Sequence, residues 1–215
     1  MGSVFYFYTR LNLVELTGRQ AHDLRELLEE LRQTPDSSIY YHTHRFLQQH
    51  HYLSPEPPND FAFWVTNSLG LDKLGEKLAS IDTVRFRSIT GLRQKFLEIL
   101  EPAVLAQTYR SVACQEGEQF HFMSCRIFVL PTPHRARDLR EFRDVLQRVS
   151  IDSIYFHMFE ARLRLERGDN DFSNWFEGIG QKQLAEEVSR LDPYTITLEG
   201  LRKKIVQQVS RYVKD

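Results

Sequence analysis

The chain has 215 residues, 41% of them hydrophobic and 27% charged, with a formal net charge of -1. That length allows one large domain or two small ones, and the balance is that of a soluble globular protein. A charge so close to zero gives no basic excess for nucleic acid or an anionic membrane surface, and no stretch approaches the roughly 18 apolar residues that a membrane helix needs.

From the N-terminus, FYFYT (5–9) alternates aromatic residues and reads as a strand. Arg19–Gln33 follows as an amphipathic helix with Leu24, Leu27, Leu28 and Leu31 on one face. A second helix opens after Asp36 or Ser37 as N-cap and carries SIYYHTHRFLQQHH, with His42, His44, His50 and His51. The proline-rich connector SPEPPNDF leads to a third helix, capped by Asn59 and Asp60 and carrying Phe61 and Trp64. Helices at Leu74–Ile81 and Ser88–Leu100 complete this half. The stretch Glu101–Glu118 holds Val104, Leu105, Tyr109 and Val112, so it is expected to pack rather than to act as a flexible tether. FHFMSCRIFVL (120–130) then reads as a strand, and Arg135–Arg148 as a helix. A further helix starts after Asp152 or Ser153, another after Asn170 and Asp171 with Phe172 and Trp175, and the last two cover Leu184–Leu191 and Leu198–Val213.

The two lists of elements match because the chain resembles itself. TGRQAHDLRELLEELRQTPDSSIYYH (17–42) laid without a gap over TPHRARDLREFRDVLQRVSIDSIYFH (132–157) gives 11 identities in 26 positions, where chance gives roughly one or two. NDFAFW pairs with NDFSNW, and GLRQKF with GLRKKI. The expected fold is mainly α, an α+β class with minor sheet. Two tandem pseudo-symmetric helical repeats, each with one short N-terminal strand, pack as one compact body about a pseudo-twofold axis. The expected boundaries are 1–104 for the first repeat, 105–118 for the packed linker and 119–215 for the second repeat.

The repeat also disciplines the histidine cluster. IYYHTHRF alone suits a strand or a helix, but its partner SIYFHMFEARLRLERG has Ile154, Met158, Ala161 and Leu165 at helical spacing, so both read as helices. On a helix His42 and His44 point about 160° apart, and His44 and His51 are about 10 Å apart along the axis. No pair has the i,i+4 spacing that two helical ligands of one zinc need, so no metal site is assigned. Only His42 keeps a counterpart, His157, together with Ser38/Ser153 and Tyr40/Tyr155. The ordinary expectation is a half-buried histidine bonded to a neighbour in each copy. The sharper one is a pocket lined by Ser38, Tyr41, His42, Ser153 and His157 for a small polar metabolite or another protein.

Arg45 and His50 have the Arg-x4-His spacing of some helical ribonucleases, so His42, Arg45 and His50 form the alternative catalytic set of a His-dependent hydrolase or nuclease, with or without metal. The second half lacks that spacing. DLRELLEELR and DLREFRDVLQR read as solvated helix faces, and Trp64 and Trp175 as core anchors. Two cysteines make no disulfide scaffold, and MGSVFYFYTR has no leader-like pattern and Tyr6 where a myristoylation signal wants Ser or Thr. A reduced, cytoplasmic protein is expected.

The run TGRQAHDLRELLEELR…SSIYYHTHRFL…PPNDFAFWV…LASID resembles a prokaryotic family catalogued as a domain of unknown function, number 5752 of that series. The resemblance spans most of the chain and implies a protein of bacterial or archaeal type. It carries over no catalytic residue and no cofactor. The reading is therefore a non-enzymatic ligand-binding or protein-interaction module, with no cofactor, no nucleic-acid partner and no membrane partner, and with a homodimer among its allowed assemblies.

Overall fold

A computed structural model describes residues 3–48, 59–106, 109–161, 170–191 and 196–213. Two strands and ten α-helices are found among them: β1 (Phe5–Ala21), α1 (Leu24–Gln33), α2 (Asp36–Gln48), α3 (Asp60–Asn67), α4 (Asp72–Ala79), α5 (Ile89–Leu105), β2 (Phe120–Ala136), α6 (Leu139–Leu146), α7 (Ile151–Tyr155), α8 (Asp171–Gly178), α9 (Lys182–Ser189) and α10 (Leu198–Ser210). The class is α+β, and β1 pairs with β2 in a two-stranded antiparallel sheet.

The strands are long, 17 residues each, where short ones were expected. Arg19 and Arg135 consequently lie in strands, and the helices once placed there begin at Leu24 and Leu139. The cause is local. Asp23 and Asp138 take extended backbone angles and accept the first helical N–H groups, Asp23 from Arg25 and Glu26 and Asp138 from Glu141, so the helix cannot begin earlier.

Contacts divide the chain into two units. One, here the central unit, is drawn mainly from Asn12–Phe46 and Pro55–Arg126. The other, the terminal unit, is drawn mainly from Met1–Leu11 and Ile127–Asp215. Each strand therefore contributes to both units, and the first residues of β1 stand with helices more than a hundred residues away in sequence.

In the central unit, α1 packs on α5 and α3 on α4. The core is Leu24, Leu27 and Leu31 of α1, Phe61 and Trp64 of α3, and Phe96 and Leu100 of α5, closed by Phe120 and Phe122 from β2. Phe61 and Phe120 stack with centroids 5.2 Å apart. Each such ring is worth about 1.5–3 kcal/mol when withdrawn from water, so the two β2 phenylalanines bind the strand firmly to the helices. Asn59 caps α3, its Oδ1 accepting the Ala62 N–H at 2.8 Å, and Ser88 caps α5.

In the terminal unit, α8 packs on α9, and α10 packs on α6, α7 and α9. Phe5 and Phe7 of β1 enter a nest of Phe142, Phe172 and Trp175, with Phe142 stacked on Trp175 at 5.3 Å. Ser150, two residues earlier than expected, caps α7. The helix widens after Tyr155 into a π turn, Phe156–Glu160, closed by the Ala161 N–H on Phe156 O. Buried Arg10 of β1 lies over the Tyr155 ring, 4.1 Å from its centroid, and its Nη1 sits 3.3 Å from Glu160 Oε1.

Candidate functional site

His42 stands on α2 with 4% of its surface exposed. The cap at Asn59 fixes Asp60 as the first residue of α3, and Asp60 Oδ2 lies 2.8 Å from His42 Nδ1. On the other side of the ring, Nε2 accepts the main-chain N–H of Met123 in β2 at 2.9 Å. Phe120, at 4.7 Å, and Phe61, at 5.4 Å, pack on the ring, and Tyr41 meets it edge-on.

The terminal unit repeats the set. Asn170 caps α8, Asp171 Oδ2 lies 2.7 Å from His157 Nδ1, and His157 Nε2 accepts the main-chain N–H of Tyr8 in β1 at 2.9 Å. Phe5 and Phe172 pack on that ring, and His157 is 2% exposed.

This pattern fixes the chemistry. A main-chain N–H can only donate, so each Nε2 must present its lone pair. The ring proton therefore sits on Nδ1 and is donated to the carboxylate. Both nitrogens are committed, one to an aspartate and one to the strand. Neither is left to bind a metal or relay a proton while these bonds hold. The arrangement joins a helix start, a helix middle and a strand edge through one imidazole.

The five residues expected to line a pocket divide between the units: Ser38, Tyr41 and His42 in the central one, Ser153 and His157 in the terminal one. Ser38 and Ser153 are fully buried, and their hydroxyls have no hydrogen-bond partner among the described residues. Of the alternative catalytic set, His50 and the side chain of Arg45 lie outside the described residues, as does His51. His44 is buried, stacked flat on Tyr40 at 4.8 Å, with Thr43 Oγ1 2.8 Å from its Nδ1. Trp64 and Trp175 are buried core anchors, their indole N–H groups donated to Glu118 O and Ser3 O.

Sequence reasoning took Asp60 and Asp171 for helix caps and missed them as histidine partners. The signal available was that an Asn-Asp-Phe triplet follows each matched histidine. The strand partners Met123 and Tyr8 carried no such signal, because the main chain donates there. Among the described residues no group of three or more His, Cys, Asp or Glu could hold a metal ion, and no helix is long and apolar enough to cross a membrane.

Comparison with known proteins places the chain in a family. It belongs to the family of unknown function DUF5752, which matches residues 2–210. It is also similar to a solved structure, that of OrfY from Thermoproteus tenax, at 30% identity and a TM-score of 0.81, over 97% of this chain and 95% of that one. No protein with a curated description matches.

Proposed function

We propose that this chain is a non-enzymatic binding protein that docks another protein on the solvent face of its strand ribbon. One observation carries the reading: the exposed large apolar side chains concentrate on the two strands. In the terminal unit Tyr6 is 55% exposed and Leu11 59%, with Tyr8, Phe128, Val129 and Leu130 also exposed. The hydrogen bond from Thr132 Oγ1 to Phe7 O, 2.7 Å, sets residue 132 beside residue 7, so exposed Pro131 and Pro133 flank Tyr8 and Tyr6. Single exposed apolar residues are ordinary, but Tyr6 and Tyr8, two apart in β1, share one side of the ribbon with the flanking prolines, and such a cluster is the kind of surface that partners cover. Tyrosine suits it, with an apolar body and a polar tip. The commitment of both nitrogens of His42 weighs against the hydrolase or nuclease alternative.

The finer reading of the fold as two related modules draws support from the recurrence of the Asn cap, the aspartate, the histidine and the strand N–H in both units. That neither Cys114 nor Cys125 forms a disulfide among the described residues supports a reducing, cytoplasmic setting. A second reading, a small polar ligand beside Ser38 in the central unit or beside Ser153 in the terminal one, rests on their two unpartnered hydroxyls. A thermal-shift screen against polar metabolites tests it: a ligand that raises Tm for the wild type and not for Ser38→Ala or Ser153→Ala supports that guest.

The main reading is tested by native affinity purification of the full chain from its own cells. A discrete protein should co-purify at fixed stoichiometry with the wild type and with His42→Gln, and be lost from Tyr6→Ser/Tyr8→Ser. The same proteins recovered from all three would overturn the assignment.

A further inference from the structure

We infer that a second binding site, for a small amphiphilic monoanion, lies in the central unit where the start of α1 meets the end of α5. A cavity of about 280 Å³ opens there. Its apolar wall is Leu24, Ala103 and Val104, and its polar rim is Arg25, Tyr109 and Arg110.

The cavity has a structural origin. Pro102 lies inside α5 and has no N–H to donate to the preceding turn, so the helix lacks one main-chain bond there, while Ala106 N closes the last turn on Pro102 O at 3.0 Å. The chain then continues through Tyr109 and returns to α1, where Cys114 N donates to His22 O at 2.9 Å and Ala113 bridges Asp23.

The charges select the guest. Asp23 also lines the cavity, but its Oδ1 accepts the N–H groups of Arg25 and Glu26, so the start of α1 is already capped and offers little to an anion. Its Oδ2 stands 3.6 Å from Arg25 Nη2 and balances that cation. Arg110 has no ion-pair partner among the described residues. The Arg110 guanidinium is therefore the group on the rim, among the described residues, left to meet an anion beside an apolar wall. A ligand with one carboxylate, sulfate or singly charged phosphate on a short hydrocarbon body matches both features. The volume lies at the small end of ligand pockets, which run from about 300 Å³ upward, so the body is short. A guanidinium suits such an oxyanion because it presents two parallel N–H donors.

The test uses hexanoate and, as its uncharged counterpart, 1-hexanol, titrated into the full-length ¹⁵N-labelled protein at low ionic strength. Hexanoate should give saturable shifts at the amides of Leu24, Ala103 and Tyr109, weakened by salt, while hexanol binds much less. Arg110→Gln should weaken hexanoate by about fivefold to tenfold, one exposed charge-assisted contact. Ala103→Phe, which fills the cavity, should abolish the shifts, and Arg110→Gln carries the test alone if that variant does not fold. Absence of saturable shifts, equal binding of hexanol, or full affinity in Arg110→Gln would each overturn the inference.

Discussion

Replacing His42 by alanine isolates what the imidazole does. Two losses add. The Met123 N–H, which donates to that ring, loses this acceptor, at about 1–3 kcal/mol for a buried donor. The vacated space beside Phe61 and Phe120 costs a further amount of about 2 kcal/mol, at the low end of large-to-small core changes because the ring is partly polar. Together these predict a loss of about 3–5 kcal/mol in urea unfolding. The more specific readout is amide exchange. Met123 should be protected in the wild type although its N–H points to the outer edge of the sheet. In His42→Ala it should exchange faster by a factor of about 30 for each 2 kcal/mol of local stability removed. Tyr8, which donates to His157, should keep its protection under conditions where the fold persists. A variant that loses less than about 1 kcal/mol, with Met123 exchange unchanged, would refute the clasp.

Four further outcomes follow from the same geometry. Long-range ¹H–¹⁵N spectra should show His42 and His157 in the Nδ1–H tautomer; Nε2–H signals on either ring would contradict the assigned bonds. Asp171→Ala should destabilise more than Asp60→Ala, by about 1 kcal/mol, because the Asp171 side chain is 16% exposed and Asp60 47%, so water can replace only the latter's contact readily; the reverse order in urea unfolding would sink the argument. Gly75→Ala should cost about 1–3 kcal/mol, since a Cβ there lands on Thr66 Oγ1 of the facing helix, and Thr66→Ala should restore most of it. Burial raises the Cys114 thiol above its ordinary pKa, with Glu118, Glu26 and Asp23 pushing the same way against a backbone hydrogen bond. A smaller thiolate fraction at neutral pH follows, so its reaction with Ellman's reagent should lag that of free cysteine at pH 7.5 and catch up as pH rises.

Much of the helical framework was legible because caps are local chemistry. Asn59, Asn170 and Ser88 announce helix starts within three residues, and the structure has all three as N-caps. The strand ends were not legible for the opposite reason. Between Asn12 and Gln20 no residue of β1 is buried, so the alternation there carries no apolar core face to mark it as a strand. Arg19 then looked like the first residue of a charged helix. The histidines were legible as positions, since only His42 and His157 match between the two stretches, but not as bonds. Their partners on the strands lie 81 and 149 residues away, with no side chain to betray them.

The geometry also explains why an imidazole stands at these two places. In a two-stranded sheet both strands are edges, and every second N–H faces outward. Where such an N–H is covered by helices it needs an acceptor. A carboxylate would bury a charge there, and a hydroxyl on α2 or in the π turn after α7 is too short to span to the strand. A neutral imidazole reaches, accepts at Nε2, and hands its own proton to an aspartate at a helix start, where the helix dipole favours the negative charge. Further along β2, Pro131 and Pro133 have no N–H to offer at all, so that part of the ribbon resists strand addition without any cap. Stacking of a further strand is thus discouraged at His42, at His157 and at the prolines. For the docking proposed above, that leaves the exposed side chains of Tyr6 and Tyr8, rather than the backbone, as the means of contact.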